Sequence, residues 1–408
     1  MRILQINNYH FPRGGSDRYF LNLMHALSNK GHQVQSFAPN LGCDTDSKFK
    51  GLYQPFGIEM SRGMSIKHGF DFFYNPRNRR AIELTLKHFQ PDIVHLHIYY
   101  GQVTPSIIKP LKAMGVPIVQ TLHEYKIVCP AQTLIKKGRS CDACKNGRYW
   151  NGIIGRCNRD SVVRSSISAL EAFTSDYLGA QNSIDRFLAV SHFQRKKLLN
   201  MGLAANKVDV LHNFADIKEQ PSDHAGDYFL FVGRLEKGKG LDTLLSSYSL
   251  YQKKYYQKVL PLHIVGDGSA KPALQKLAER LGLGKHVKWF GYLDGPDLVY
   301  QYRKCRALIN PSKFHETFGL TNLEAMTHGR PVICSNSGAF AEVVRDGLDG
   351  YVLPDRAPEA FAERMSKLCP KTARQLGKNG FERANHNFSE EVHLKRLEEI
   401  YTNLIGAK

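Results

Sequence analysis

The sequence predicts an α/β protein made of two successive doubly wound domains, and three observations carry that expectation. Short apolar runs alternate with helix-like segments along the chain, the series starts twice, and a polar stretch rich in turn formers separates the two series. Strands joined by crossover helices build parallel sheets covered on both faces. A chain of 408 residues exceeds one ordinary core and fits two domains of roughly 150–200 residues. With 42% hydrophobic and 23% charged residues, it has the apolar material for two cores and does not read as disordered.

The first series places strands at residues 2–7, 33–38, 92–97, 117–122 and 187–191, with an amphipathic helix over 16–30 after the first strand. The second places them at 228–233, 262–265, 287–290, 307–310, 331–335 and 351–353. Between the series, residues 212–227 are polar and acidic and contain Pro221, Ser222 and Gly226, the composition of a linker. The expected domains are therefore 1–213 and 214–388, with a C-terminal helix over 389–408 packing back toward the first. Open parallel sheets bind ligands beyond the carboxyl ends of their strands, so two such domains facing each other would enclose one cleft.

The net charge of +19 is uneven: residues 1–212 hold 28 Lys and Arg against 14 Asp and Glu, an excess of +14, and the rest holds 28 against 23, or +5. That bias points to an anionic partner of the first domain, whether membrane, nucleic acid or phosphorylated substrate. No run reaches the roughly 18 apolar residues of a membrane span, and the opening residues read as a strand and not as a signal peptide. The expected location is the cytoplasm, peripheral on the inner face of the membrane. Eight cysteines are too few for a disulfide scaffold, and a reducing compartment would keep them as thiols.

The strongest constellation is the run Asn310-Pro311-Ser312-Lys313-Phe314-His315-Glu316-Thr317-Phe318-Gly319-Leu320-Thr321-Asn322-Leu323-Glu324. A strand ends, a turn follows, and a helix starts near Gly319. The first-turn amides of a helix lack intrahelical acceptors and can hold a diphosphate. Glu316 before the helix and Glu324 within it separate two carboxylates along one ligand, each able to accept hydrogen bonds from sugar or ribose hydroxyls. Taken alone, Glu316 would be a loop charge and Glu324 a solvated helix residue. Upstream, Gly233-Arg234-Leu235-Glu236-Lys237-Gly238-Lys239-Gly240 joins a strand to a helix and offers cations to a leaving diphosphate. Composition alone leaves Lys237 and Lys239 as competing candidates.

With its continuation through Gly329-Arg330-Pro331-Val332-Ile333 and Glu342-Val343-Val344-Arg345-Asp346-Gly347, this segment resembles the donor-binding segment of family 4 retaining glycosyltransferases. The resemblance implies the glycosyltransferase-B architecture, two facing Rossmann-like domains with an interdomain cleft. It makes Glu316 and Glu324 the family's Glu-x7-Glu pair, Glu324 on the ribose and Glu316 on the transferred sugar. Arg234 and Lys239 become the phosphate-binding pair, with backbone amides of Phe318, Gly319, Leu320 and Thr321 near sugar and phosphate.

Weaker matches follow in family order. Gly266 lies after one strand, and Phe290, Gly291 and Tyr292 after another, where the family holds the nucleotide base. Gly14 and Gly15 lie between a strand and a helix, where backbone can approach the donor, and His123 matches a histidine lining the cleft beside the donor sugar. Ala189-Val190-Ser191 and Val210-Leu211-His212-Asn213 resemble the end of the family's first domain. The expected catalytic residues are thus His123, Arg234, Lys239 and Glu316; the remaining positions bind donor.

These matches imply hexosyl transfer from a nucleotide-diphosphate sugar, UDP-linked in preference to GDP-mannose, to a glycan or lipid-linked acceptor in cell-surface polysaccharide or glycolipid assembly. Anomeric retention without a catalytic metal or other cofactor is expected. Acceptor recognition is expected where the resemblance weakens, at about 40–80 and 128–164. A phosphorylase or epimerase of the same fold is one alternative, but no pyridoxal-binding lysine context is found. A basic nucleic-acid-binding module is another, but no groove-reading motif is found. Asp44-Thr45-Asp46 sits in a loop and is set aside as a metal motif. Cys129, Cys141, Cys144 and Cys157 form a Cys-x11-Cys-x2-Cys-x12-Cys array in a basic segment. It fits either a structural zinc or four unrelated thiols; no position would be left open for catalysis.

Overall fold

A computed structural model of the protein describes every residue except 40–47, 58–69, 216–219, 222, 225, 255–258 and 408. Asp44-Thr45-Asp46 and much of the 40–80 acceptor region lie outside the described residues. The chain divides into two units, Met1–His212 with His393–Lys408, and Asn213–Val392.

The first unit contains β1 (Arg2–Ile6), β2 (Gln33–Phe37), β3 (Ile93–Leu96), β4 (Ile118–Leu122), a small hairpin of β5 (Ile135–Lys136) and β6 (Arg139–Ser140), β7 (Arg186–Ala189) and β8 (Val208–Val210). Six of them form a sheet in the order β2-β1-β3-β4-β7-β8, parallel throughout. Covered on both faces, β4 (Ile-Val-Gln-Thr-Leu) is buried at all five positions. Side chains start the helices: Asn75 accepts from the Arg77 and Asn78 amides before Pro76–Phe89, and Ser191 from the Gln194 amide before His192–Asn200. The hairpin and β8 were not among the expected strands; two- and three-residue strands carry too little periodicity to read.

The interior of this sheet is unusually polar, with Gln5, His95, His97, Gln120 and Thr121 all buried. Buried polar groups require partners, and the C-terminal helix Glu390–Gly406 supplies one to the sheet and one to the helix Gly15–Asn29. The Tyr401 hydroxyl lies 2.6 Å from His95 Nδ1, and His393 Nε2 lies 2.9 Å from the Tyr19 hydroxyl. This helix begins in the second unit and belongs to the first from His393 onward, so the divisions fall at His212/Asn213 and Val392/His393, one residue before and four residues after the expected ones.

The second unit contains β9 (Tyr228–Val232), β10 (Leu262–Val265), β11 (Val287–Gly291), β12 (Cys305–Asn310), β13 (Val332–Ser335) and β14 (Gly350–Leu353). They form a parallel sheet in the order β11-β10-β9-β12-β13-β14. Its middle is apolar: Phe229, Phe231, Ile264, Ile309 and Ile333 are all buried. Strand order reverses between β9 and β12. The loops leaving those two strands therefore flank the crevice where an open sheet binds its ligand. In the first unit the reversal falls between β1 and β3.

Candidate functional site

The loops after β9 and β12 are fastened to each other by backbone contact. Gly240, at φ +73°, leaves no room for a side chain, because a Cβ there would stand 1.9 Å from the Pro311 carbonyl oxygen. The Lys313 amide donates to the Gly238 carbonyl at 2.8 Å, and its ammonium pairs with Asp242 at 2.6 Å. A third loop holds Glu316 from behind: Gly338, at φ +69°, would place a Cβ 2.2 Å from the Glu316 carbonyl oxygen, which accepts from the Ala339 amide at 2.9 Å. Both glycines combine left-handed backbone with close approach, which other residues cannot do without strain.

This scaffold brings Lys239 and Glu316 together. The ammonium donates to Glu316 Oε1 at 2.8 Å, and the Ser312 hydroxyl donates to the same oxygen at 2.5 Å. The side chains of Lys239 and Glu316 are 22% and 15% exposed, so the pair is partly shielded yet reachable. Burial alone would raise the Glu316 carboxyl; the charge and hydrogen bond of Lys239, the Ser312 hydroxyl and the charge of Arg234 outweigh it and hold the group below its ordinary value. Arg234 and Lys237 are both exposed. Of the two lysines, Lys239 is the one bonded to the carboxylate.

Glu324 sits in the helix Leu320–Thr327, which starts directly after Gly319, and its Oε2 accepts from the Tyr302 hydroxyl at 2.7 Å. Asn310 braces that helix start through Thr321 Oγ1 at 3.3 Å and Asn322 Oδ1 at 2.8 Å. Phe318 is buried against Phe388, with ring centroids 5.6 Å apart, so its side chain belongs to the core and only its backbone can reach a ligand. Gly266 donates its amide to the Gly291 carbonyl at 2.6 Å. Beyond them, Phe290 and Tyr292 expose 37% and 56% of their surfaces, a platform on which a flat base can stack.

In the first unit, His123 follows β4, half-buried, with Nε2 3.1 Å from His97 Nδ1. Burial lowers the His123 imidazole to about 3, so it stays neutral at physiological pH. His97 in turn lies 2.6 Å from Gln5 Oε1, and its ring stacks on His95 with centroids 4.4 Å apart. Gly14 and Gly15, at the start of the helix Gly15–Asn29, are exposed. Gly14 has extended backbone at φ −165°, and a Cβ there would meet nothing within 4 Å. Gly14 is the N-cap of that helix, and the space beside it is open.

Residues 213–383 match the family described as Glycosyl transferases group 1, and residues 13–219 match Glycosyltransferase Family 4. The chain belongs to the group 1, family 4 glycosyltransferases. This glycosyltransferase is 32% identical to a D-inositol 3-phosphate glycosyltransferase of Jonesia denitrificans, across 86% of its own length and 81% of the relative's. It is 25% identical to the O-antigen chain mannosyltransferase C of Escherichia coli, across 60% and 63% of the two chains. Among solved structures, sucrose-phosphate synthase from Thermosynechococcus elongatus superposes with a TM-score of 0.76 at 19% identity, over the whole of both chains. Anabaena HepE in complex with UDP and glucose superposes at 0.68 and 16% identity, over 98% and 100%. Such likenesses establish the glycosyltransferase-B fold.

Several positioning residues of the glycosyltransferase escaped the sequence reading. Ser312 hydrogen-bonds Glu316, and Gly240 and Gly338 fix the loops around it; a density of glycines after strands was the available signal. A buried ion pair, Lys126 to Glu171 at 2.7 Å with both side chains under 5% exposed, left none, because its partners lie on separate elements. No helix among the described residues is long and apolar enough to cross a membrane.

Proposed function

We propose that this glycosyltransferase transfers a hexose from a UDP-sugar to a glycan or lipid-linked acceptor, retaining anomeric configuration and using no catalytic divalent cation. The observation that carries the proposal is the Lys239–Glu316 pair, with Arg234 beside it, at the β9/β12 reversal where the helix after Gly319 begins. Breaking the bond between sugar and diphosphate develops positive charge on the sugar and negative charge on the departing phosphate. Arg234, Lys239 and the amides near Gly319 stabilise that phosphate electrostatically in place of a metal. Glu316, ionised and oriented by Lys239 and Ser312, accepts from a hydroxyl of the transferred sugar. Glu324 accepts from the ribose, and Phe290 and Tyr292 carry the base.

The departing phosphate oxygen takes the proton of the acceptor hydroxyl as that hydroxyl attacks the same face of the sugar, so no protein nucleophile is required. Neutral His123 and the exposed backbone at Gly14 and Gly15 are the first unit's candidates for contact with the donor. UDP is favoured because the HepE structure holds UDP and glucose; GDP-mannose is the competing donor, because a mannosyltransferase is among the relatives. The O-antigen enzyme, and a lipopolysaccharide outer core galactosyltransferase that superposes with a TM-score of 0.65, support a cell-surface glycan as product. Arg77, Arg79 and Arg80, exposed on the helix Pro76–Phe89, supply charge for a peripheral position on an anionic membrane, cytoplasmic side.

The test is transfer from an α-linked UDP-sugar in buffer stripped of magnesium and manganese, with the new linkage assigned by magnetic resonance. An α-linked product is expected. A β-linked product, or activity that appears only when magnesium or manganese is added, contradicts the proposal. A thermal-shift comparison of UDP-, GDP- and ADP-sugars identifies the donor, since ligand binding stabilises the folded state.

A further inference from the structure

We propose that Cys129, Cys141, Cys144 and Cys157 bind a structural zinc ion that holds together the insertion between β4 and the helix Val162–Tyr177 of the first unit. The four thiols come from three separate places: just beyond β4, the turn leaving the β5–β6 hairpin, and the end of the short helix Trp150–Ile154. They line one cavity of about 20 Å³, together with Leu134, Lys136 and Met201. That is room for a single water-sized body, and hence for one ion. Cys144 is close enough to feel all three of the others electrostatically, and Cys157 feels Cys129 and Cys141.

The chemistry of the donor set fits zinc. Four sulfur ligands, two of them in a Cys-x2-Cys turn, make a closed tetrahedral site with no open position for catalysis. In that turn the Cys141 amide donates to the Leu134 carbonyl at 2.8 Å and the Lys145 amide to the Asp142 carbonyl at 2.9 Å. Four thiolates around a dication leave a net charge of −2, and Lys136 on the cavity wall, with Lys137, Arg139, Lys145 and Arg148 in the same insertion, offsets it. As the side chains stand, no three His, Cys, Asp or Glu among the described residues are posed to hold a metal ion. Binding an ion there requires the four thiols, which already line the cavity, to turn toward its centre.

The insertion also needs such a tie. Its hairpin strands have two residues each, and apart from the cysteines its buried large apolar side chains are Tyr125, Ile127 and Val128 close to β4, then Leu134 and Tyr149. Beyond Val128 little apolar core remains, and a stretch of that kind is commonly held by cross-links or metal. Seven of the ten non-glycine residues with positive φ among the described residues fall inside it, at Gln132, Leu134, Lys137, Asn146, Arg156, Arg159 and Asp160. Left-handed backbone at such residues is strained and persists only where the surroundings over-determine it. The Lys126–Glu171 pair anchors the start of the insertion to the helix beyond it, and the zinc would fix what lies between.

The experiment uses the full chain, purified without added metal or chelator, with metal content read by mass spectrometry and zinc release followed during mercurial titration. About one zinc per chain is expected, with Cys369→Ser retaining it and the Cys141→Ser/Cys144→Ser double variant losing it. Because that double variant can fail to fold, the wild-type chain is also loaded with cobalt, whose visible spectrum distinguishes a tetrahedral four-sulfur site. Less than about 0.1 metal per chain together with no thiolate-cobalt spectrum would overturn the proposal. So would disulfides mapped among the four cysteines in protein purified under reducing conditions.

Discussion

The two units share one sheet architecture but place their polar chemistry at different depths. In the second, the sheet interior is mainly apolar, with His263 buried in β10, and the ionic groups ride on loops after β9 and β12. In the first, histidine, glutamine and threonine fill the sheet itself and bond largely to one another, with Tyr401 of the C-terminal helix meeting His95. Chemistry on loops can vary while the core keeps the fold. Chemistry inside a sheet ties the fold to the protonation state of its own core.

Acid should separate the units most strongly. Burial holds His95 and His97 well below the ordinary histidine value, with neighbouring histidines adding to the effect, and lowers His123 to about 3 and His393 to about 4. Unfolded, each would bind a proton near pH 6.5, so between that pH and the folded values the unfolded chain holds more protons and stability falls as pH falls. Each histidine contributes up to about 1.4 kcal/mol per pH unit. Asp17, whose carboxyl burial raises, works in the opposite sense as a single group. Glu316, held below its ordinary value, adds stability above the unfolded carboxylate pKa that is lost only as pH drops further. Trp150 lies in the first unit and Trp289 in the second, so single-tryptophan variants can follow each. In the second unit burial also lowers His263, so from pH 6.5 to 4.5 the Trp150 transition should shift more than the Trp289 transition; equal shifts would erase the contrast.

The next largest effects belong to the second unit's carboxylates. Glu316→Ala should chiefly lower turnover and Glu324→Ala chiefly weaken nucleotide binding, each by about 1.5–3 kcal/mol, or roughly 10- to 150-fold. Steady-state kinetics alongside nucleotide titration make the division, and identical behaviour of the two variants would remove it. In the first unit, Tyr401→Phe leaves His95 without its Nδ1 partner and should cost about 1–3 kcal/mol of stability, measured by urea unfolding, with UDP affinity unchanged. The smallest expected stability effect is that of Gly14→Ala, under about 0.5 kcal/mol. Its donor KM should nevertheless rise, and an unchanged KM would show that no ligand approaches there.

How much of each unit was legible follows the same contrast. Arg234, Lys239, Glu316 and Glu324 stand out in sequence because their loops are short, glycine-marked and contiguous, and the structure adds that Lys239, not Lys237, meets the carboxylate. Both parallel sheets could be read because their strands appear as short, mostly apolar runs between helix-like segments. His95, Gln5 and Gln120 interrupt such runs, and their meaning depends on partners far along the chain: Tyr401 is 306 residues from His95, and His393 is 374 from Tyr19. No local pattern records those separations. Ser312 was visible but read as part of a turn, since its hydrogen bond to Glu316 depends on how Gly338 and Gly240 fold the loops around it.

The most direct test of the second unit's role is calorimetric titration of UDP into the wild-type chain and into Arg234→Ala/Lys239→Ala, each in metal-free buffer and again with excess magnesium. With the diphosphate held by the two cations, the wild-type affinity should be the same in both buffers and at least about 10-fold weaker in the double variant. Binding that appears only with magnesium, or equal affinity in wild type and double variant, would contradict a metal-independent donor site at these residues.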